Sequence, residues 1–431
     1  MPSLQKQNPW AIPASFAAAI LMLMATLLFV SKSLYNYPIT LMACLGVLSC
    51  LASRGKVFSL PAIRCFCLLF ACIWLPILLS LSVAVNFERS LNTVGPYLRF
   101  LFMGIFVIFA MSLHSTQRFV LLGIFCLVSF WCIDAIVQVL FGIDFFGHPY
   151  EDRHITGMFY PKNTIAHICA GLSPIYFELI RRHYKQFKPV LIMLLPLFAV
   201  ILLSGRRASW IMLALSSSGY LGFYLLLKTQ TRLKLKQVVL LLLLVITVLG
   251  SIIATHDATR RRVTTTLGVF SGDYEVVNKA TAKRLPLWQT SILIARENWL
   301  LGVGARGYRY VYSEYAPEDD EWKSSGQTHP HQLLLEVLVE SGLVGLFGLL
   351  CFTLVFFRHM KAVIRSDPRA FSWALAVVVI VFPFNTHMAF YGSYWSSFFW
   401  LLVTLALSAG FNDPESIKAG KTSPALTKDP V

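Results

Sequence analysis

The sequence predicts an all-α polytopic membrane protein. Of the 431 residues, 56% are hydrophobic and only 13% are charged, and the mean hydropathy is +0.65. A soluble chain would carry about 25% charged residues. Apolar runs recur about twelve times, and each is long enough for a helix to cross a hydrocarbon layer of about 30 Å. The predicted spans are 13–30, 38–51, 62–83, 94–111, 118–141, 163–180, 189–204, 209–227, 237–253, 332–356, 371–388 and 394–410.

The short loops between these spans predict the orientation of the chain. The net charge is +16, and alternate short loops hold most of the basic residues. These residues are Arg54, Lys56 and Arg64; Arg181, Arg182, Lys185 and Lys188; Lys228, Arg232, Lys234 and Lys236; and Arg358, Lys361, Arg365 and Arg369. Because basic loops stay inside, both termini are predicted to be cytoplasmic. The surplus charge therefore reflects topology, and no nucleic-acid partner is predicted.

This topology divides the chain into four parts. Residues 1–253 hold spans one to nine, and residues 254–331 form one large, partly helical outer loop. Residues 332–410 hold spans ten to twelve, and the polar tail 411–431 is predicted to be disordered. The nine cysteines lie within or beside the spans and show no disulfide or zinc spacing, so they are interpreted as small core residues.

Two charged residues inside the spans have alternative interpretations. Arg99, in the outer part of span four, either reaches the membrane surface or contacts a lipid phosphate. Asp134, in span five, is favoured to pair with an outer arginine, and a proton relay is the alternative.

A tight outer turn carries two adjacent arginines. Only the sequence S-G-R-R-A-S, residues 204–209, separates spans seven and eight, and Trp210 after it is predicted to anchor the next helix at the interface. Arginine is disfavoured on the outer side of a membrane, so Arg206 and Arg207 predict a function there. Planar guanidinium groups bind phosphate oxygens in pairs, which favours phosphate binding over contact with lipid headgroups.

The outer loop 142–162 is a second candidate for phosphate binding. Pro161 and a cap by Asn163 predict the start of span six, and a helix start attracts anions. Arg153 and Lys162 add positive charge. An ordinary interfacial loop with aromatic anchors is the alternative.

The large outer loop is predicted to contain two helices, around residues 283–298 and 308–315. The link L-L-G-V-G-A-R-G, residues 300–307, lacks the preceding strand and the Lys-Ser/Thr ending of a phosphate-binding loop, so a tight turn is predicted. The acidic run 318–321 is interpreted as solvated, and a divalent cation site is the alternative.

The segment 328–350 leads from this loop into span ten. Pro330 predicts an extended His329 and a helix start near His331. Glycine recurs every third residue in the helix, which predicts the close approach of a neighbouring helix. These glycines are Gly342, Gly345 and Gly348.

Arginine and histidine gathered at one membrane surface suit glycosyl transfer from a lipid diphosphate. The outer candidates are Lys162, Arg206, Arg207, Arg284, His329 and His331. Guanidinium groups hold a diphosphate and neutralise its charge as it leaves. A neutral imidazole takes the proton of the attacking sugar hydroxyl. An ordinary capping or loop role is the alternative for a histidine at a helix start.

Four short motifs follow one another in the second half of the chain. They are R-A-S-W at Arg207–Trp210, R-L-P-L-W at Arg284–Trp288, L-L-G-V-G at Leu300–Gly304 and H-Q-x-x-L-x-x-L-x-E-x-G at His331–Gly342. In this order and membrane placement they resemble the O-antigen ligase family, whose wider group includes O-antigen polymerases and bacterial O-oligosaccharyltransferases. Ala208 stands where the family has glycine, and Gln332 where it has asparagine.

The resemblance implies an inverting, metal-independent glycosyltransferase of the membrane GT-C type without a cofactor. It would transfer O-antigen polysaccharide from undecaprenyl diphosphate to lipid A-core oligosaccharide at the periplasmic face of the bacterial inner membrane. His331 would be the base that activates the acceptor hydroxyl, and Arg207 and Arg284 would bind the diphosphate. Glu336 and Glu340 are assigned orienting or packing roles. Charge and position add four substrate-binding candidates: Arg206, Lys162, Arg153 and His329.

Three alternatives differ in organisation. An O-antigen polymerase would be expected to have two sizeable outer loops, and a protein O-oligosaccharyltransferase a longer C-terminal region. A lipid or polysaccharide transporter would place polar residues at the midplane of broken helices. One large loop, a short tail and polar groups on one side favour the ligase, with the polysaccharide, the acceptor sugar and the oligomeric state left open.

Overall fold

The computed structural model describes residues 10–151, 155–183, 187–226, 250, 257–324, 327–382 and 388–411. Within these ranges the chain forms fifteen α-helices and no β-strand. The helices are α1 (Ala11–Leu27), α2 (Asn36–Ala52), α3 (Pro61–Leu79), α4 (Phe87–Leu113), α5 (Gln117–Phe141), α6 (Ile165–His183), α7 (Phe187–Leu203), α8 (Arg207–Leu226), α9 (Asp257–Leu267), α10 (Tyr274–Ala280), α11 (Leu285–Glu297), α12 (Tyr308–Tyr315), α13 (Leu333–Ser366), α14 (Phe371–Val381) and α15 (Ser393–Ser408).

Six helices of the described part are long and apolar enough to cross a membrane. They are α1, α3, α4, α5, α8 and α13. Shorter apolar helices occur in α2, α7, α14 and α15. These helices confirm a polytopic helical membrane protein. Twelve spans stay a prediction, because span 237–253, apart from Gly250, lies outside the described residues, as does the tail from 412 to 431.

Helix α6 lies at the centre of the bundle. It contacts α5, α7, α8 and α14, and every residue from 163 to 180 is buried. A helix enclosed by protein needs no apolar surface for lipid, which explains why His167 and Glu178 are tolerated within it. The cap predicted at Asn163 is wrong, because α6 begins at Ile165 and the Asn163 Oδ1 atom accepts no hydrogen bond from the described residues.

Helix α13 bends at Gly342, where φ is 65° and ψ is −162°. The loop replaces the broken helical hydrogen bonds. Leu343 N donates to Trp299 O at 2.8 Å, and Val303 N donates to Val339 O at 2.8 Å. A helix break at membrane depth requires such partners, because no water is present to satisfy the backbone. The bend therefore depends on the loop segment that packs against it.

The glycine row in α13 admits a neighbouring helix at one of its three positions. At Gly348 a β-carbon would collide with the carbonyl oxygen of Cys72 in α3. At Gly345 the nearest atoms belong to α13 itself, and Gly342 forms the bend. The prediction of a close helix approach is confirmed at Gly348 only.

The two helices predicted inside the large loop are present as α11 and α12, and they build a second, smaller core. Its buried residues are Leu287, Ile294, Ala295, Val303, Tyr308, Val311, Tyr312, Ala316 and Val339. Because Val339 belongs to α13, this core fixes the loop against the outer part of α13. The link between the helices forms the predicted turn, with positive φ at Gly302 and Gly304.

The acidic run of the loop contacts separate partners. Glu318 pairs with Lys323 and Glu321 with Lys283, each at 2.6 Å. Asp320 Oδ2 accepts a hydrogen bond from Tyr312 at 2.5 Å. Within the described ranges, no group of three or more His, Cys, Asp or Glu residues is placed to hold a metal ion.

Candidate active site

The tight turn between α7 and α8 is fixed by a tryptophan and a glycine. The Trp210 Nε1 atom donates to the carbonyls of Ile201 and Leu202 at 3.1 and 3.2 Å. Trp210, predicted as an interface anchor, therefore ties the turn to the end of α7. Gly205 has a φ of 63°, and a β-carbon there would collide with the Arg262 guanidinium. Only glycine permits this backbone and this contact together.

Four arginines meet on the loop side of the molecule, the side on which residues 257–331 lie. We call Arg206, Arg207, Arg262 and Arg284 the arginine cluster. Arg207 donates to the Ala280 carbonyl, and Arg262 donates to the Gly205 carbonyl. The charges of Arg206 and Arg207 act on Arg284, and the charge of Arg262 acts on Arg206 and Arg207. The structure thus brings together three predicted residues, of which Arg207 and Arg284 belong to motifs and Arg206 was added by charge and position.

The arginine cluster has no carboxylate partner among the described residues. Every salt bridge in the described ranges involves other arginines, lysines or histidines. Burial and the charges of Arg206 and Arg207 lower the pKa of Arg284 to about 10, so Arg284 stays protonated at neutral pH. A ligand with several negative charges would relieve the repulsion and match the guanidinium geometry.

His331 lies two residues before the first residue of α13. The predicted helix start near His331 is therefore confirmed within two residues. His331 is half-buried and has a left-handed backbone with a φ of 57°. Gln332 is the N-cap, and its Oε1 atom accepts from Leu335 N at 2.6 Å. A side-chain amide oxygen at this position satisfies a free N–H of the first turn, as the asparagine of the family would.

A tryptophan connects the segment of His331 to the helix of Arg284. Trp288 Nε1 donates to the Pro330 carbonyl at 3.2 Å. Trp288 lies one helical turn after Arg284, a rise of about 5.4 Å. The residue just before the motif of the predicted base is therefore in direct contact with the motif that carries a predicted phosphate ligand.

His329 lies against His331 with the ring centroids 3.9 Å apart. It is buried, and its Nδ1 atom shares a hydrogen bond with the Thr328 hydroxyl at 2.9 Å. These contacts support the orientation of the His331 ring. Direct substrate binding by His329 stays a prediction.

Glu336 and Glu340 are fully buried and face the link 300–307. Glu340 Oε2 accepts from the backbone N–H of Arg306 at 2.6 Å, and the Arg306 guanidinium lies 4.0 Å from Glu336. Glu336 also accepts from Tyr391 N at 3.3 Å. These contacts fit the predicted orienting roles, because they join α13 to the loop.

Lys162 packs over an aromatic ring of α15. Its ammonium group is 5.8 Å from the centre of the Tyr394 ring. Burial and the charge of Lys32 lower the pKa of Lys162. Arg153 lies outside the described residues.

The loop before α6 is held by two polar residues of α5. Asp134 accepts from Phe145 N at 3.0 Å and from Met158 N at 2.9 Å. Among the described residues, backbone amides and not an outer arginine bind the Asp134 carboxylate, so the predicted pairing is not found there. Gln138, which the sequence did not single out, accepts from the N–H groups of residues 156 and 157.

Arg99 contacts protein on the loop side. Its guanidinium donates to the Ser393 hydroxyl at 2.6 Å, and it lies 4.8 Å from the centre of the Phe100 ring. This contact joins α4 to the start of α15.

An apolar cavity of about 280 Å³ lies between α13, α14 and α15. The first residue of its lining, Leu333, is two residues after His331 in the sequence. Its lining includes Leu333, Leu334, Leu346, Phe352, Val377 and Phe399. Such a surface suits a hydrocarbon chain, because it offers almost no hydrogen-bonding groups.

Sequence reasoning did not assign Arg262 to the site. The run of three arginines at 260–262 was a visible signal. Which of the three would face Gly205 depends on how α9 packs against the turn, and no local pattern determines that orientation.

Residues 191–350 match the protein-family model described as O-antigen ligase. The match contains the arginine cluster, His331 and all four motifs, and it confirms the resemblance that the motifs indicated. Lys162 and Arg153 precede it. The matched family consists of glycosyltransferase-like membrane enzymes. No curated protein matches the chain.

Proposed function

We propose that this chain, a member of the O-antigen ligase family by its residues 191–350, transfers O-antigen polysaccharide from undecaprenyl diphosphate to lipid A-core oligosaccharide. The arginine cluster is the observation that carries the proposal. Four guanidinium groups without a carboxylate among the described residues suit a diphosphate. The segment of His331 contacts the same helix, α11, through Trp288.

In the proposed reaction, the His331 imidazole takes the proton of a core sugar hydroxyl as the hydroxyl oxygen attacks the anomeric carbon. The bond between that carbon and the diphosphate oxygen breaks, and its electron pair leaves with undecaprenyl diphosphate. Attack opposite the leaving group inverts the anomeric configuration. The proton then passes from His331 to water.

The arginines stabilise the charge that develops on the leaving group. Arg207 and Arg284 are the proposed diphosphate ligands by family motif, and Arg206 and Arg262 join them by position. Their fixed positive charges do the work that a metal ion does in other glycosyltransferases. The reaction is therefore proposed to be metal-independent.

The remaining candidates are proposed to bind or orient the substrates. Lys162 and Arg153 belong to the segment before α6 and would contact the donor or acceptor at the membrane surface. His329 would hold the His331 ring in place. The apolar cavity beside α13 would take part of a lipid chain of donor or acceptor.

The proposed location follows from these assignments. The loop side would face the periplasm, both termini would lie in the cytoplasm, and the protein would be embedded in the bacterial inner membrane. Membrane lipids would surround a GT-C type bundle, in which the donor enters from the outer leaflet.

Transfer by the purified protein tests the proposal. Lipid-linked polysaccharide and lipopolysaccharide core are mixed with wild type, His331→Ala or His359→Ala, and the glycosylated core is quantified. Loss of the base should lower the rate by about 10²- to 10⁴-fold, while His359→Ala, at the other end of α13, should retain activity.

Three results would contradict parts of the proposal. Full activity of His331→Ala would show that His331 is not the catalytic base. Loss of activity with a chelator, restored by added metal, would contradict metal independence. Elongation of the lipid-linked glycan without core would identify a polymerase instead.

A further inference from the structure

The start of α6 and the residues just before it contain two buried polar side chains with unpaired atoms. Asn163 and His167 are each only 8% exposed. The Asn163 Oδ1 and His167 Nδ1 atoms form no hydrogen bond with the described residues. Buried polar atoms in folded proteins almost always have a partner, so each such exception requires an explanation.

Both residues lie beside the arginine cluster. The Asn163 side-chain amide donates to the Ser204 carbonyl at 3.4 Å, and the Ser204 hydroxyl accepts from Arg206 N at 3.2 Å. The charges of Arg206 and Arg284 act on His167. The start of α6 and Asn163 before it thus lie beside the positive charge of the arginine cluster.

The loop before α6 is itself held in place. Asp134 and Gln138 bind the backbone of residues 145 and 156–158. Thr164 and the Tyr394 hydroxyl lie 3.5 Å apart. Asn163 and His167 are therefore carried on a positioned helix start and not on a free loop.

We propose that Asn163 and His167 bind the lipid diphosphate donor where its phosphate joins the first sugar. The His167 ring N–H donates to a phosphate oxygen held by Arg206 and Arg284. The Asn163 Oδ1 atom can only accept, so it receives a hydrogen bond from a hydroxyl of the first sugar. This inference rests on the proposed function and adds the residues that select the sugar end of the donor.

Kinetics with varied donor and saturating core test His167. His167→Leu should lower kcat/KM for the donor by about tenfold or more, the loss expected for a hydrogen bond to a charged group. His167→Gln keeps a side-chain N–H and should recover most of the lost kcat/KM for the donor. The KM for the core acceptor should stay within about twofold.

A matched control separates binding from packing. His359, in the C-terminal half of α13, also has a buried ring nitrogen without a hydrogen-bond partner in the described part of the chain. His359→Leu should leave the donor KM unchanged. Melting temperatures in detergent establish that every variant is folded.

Stabilisation by inorganic pyrophosphate supplies a second readout that does not require transfer. Pyrophosphate should raise the melting temperature of wild type, Asn163→Ala and His359→Leu. The increase should be smaller for His167→Leu. Asn163→Ala should weaken the binding of the sugar-bearing donor but not of pyrophosphate, because pyrophosphate carries no sugar hydroxyl.

The outcomes distinguish this inference from the proposed function. Pyrophosphate stabilisation that depends on His167, without any transfer by wild type, would overturn the proposed function and retain the anion site. Transfer by wild type with unchanged donor kinetics in both His167→Leu and Asn163→Ala would overturn the inference alone. Equal loss of pyrophosphate binding in Asn163→Ala would overturn its sugar assignment.

Discussion

Arginines lie at both ends of the packed pair α6 and α8, and their electrostatic surroundings are opposite. At the end away from the loop side, which we call the inner end, Arg181 and Arg182 bind the buried Glu178 at 2.7 Å. The hydroxyls of Tyr220 and Tyr224 donate to the same carboxylate. We call these five residues the inner ion cluster. At the loop side, the arginine cluster has no carboxylate among the described residues.

The contrast separates arginines that stabilise the fold from arginines that we propose bind a ligand. Every charge of the inner ion cluster has a protein partner, so this cluster stabilises the fold without a ligand. The arginine cluster keeps its charges beside a buried helix start with free hydrogen-bonding atoms. Burial of like charges without a partner is costly and is retained where a ligand supplies the opposite charge.

Removing the inner carboxylate should have the largest effect, and it should be on stability. Glu178→Gln leaves two guanidinium groups without a carboxylate, and breaking a buried pair in this way costs about 3 to 5 kcal/mol. Thermal unfolding in detergent measures the loss. The same substitution at the exposed Glu318 should not change the melting temperature measurably. An unchanged melting temperature in Glu178→Gln would contradict the conclusion that the inner ion cluster stabilises the fold.

Removing a charge from the arginine cluster should act on activity instead. Arg284→Met should lower the transfer rate by about 10²- to 10³-fold, as the loss of one fixed donor to a developing charge does. Its melting temperature should stay the same or rise, because repulsion with Arg206 and Arg207 is relieved. Arg296→Met, an exposed position at the other end of α11, is the control. A large drop in the melting temperature of Arg284→Met would show a structural role.

Keeping the charge but not the planar group should have an intermediate effect. Arg206→Lys should reduce transfer about tenfold, because an ammonium group does not bind phosphate oxygens in a paired geometry. Arg261→Lys, exposed on α9, is the matched control. Equal activity of Arg206→Lys and wild type would mean that only net charge matters at this position.

The smallest expected effect concerns the segment that carries His331. Gln332→Ala removes the cap of α13 and should cost about 0.5 to 2 kcal/mol, with a severalfold loss of kcat. Gln332→Asn restores a capping oxygen and should recover both quantities. If alanine and asparagine behave alike, the side chain of residue 332 does not hold His331 in place.

Much of the fold could be predicted because its signals are local. Apolar length predicted the membrane helices, and the sequence of the large loop predicted α11, α12 and the turn between them. Pro330 placed the start of α13 within two residues. The cap at Asn163 failed because α6 begins at Ile165, and the Asn163 amide instead donates to the Ser204 carbonyl, which is distant in sequence.

By itself, the sequence determined that the chain is a helical membrane protein and that arginines and a histidine gather on the loop side. Hydrophobic length, charge asymmetry and short motifs are readable along the chain. Only the tertiary structure decided that Arg262 packs on Gly205, that α13 bends at Gly342 against the loop, and that His167 comes near Arg284. Those contacts join residues far apart in sequence, and they depend on how whole helices pack together, which no local pattern specifies.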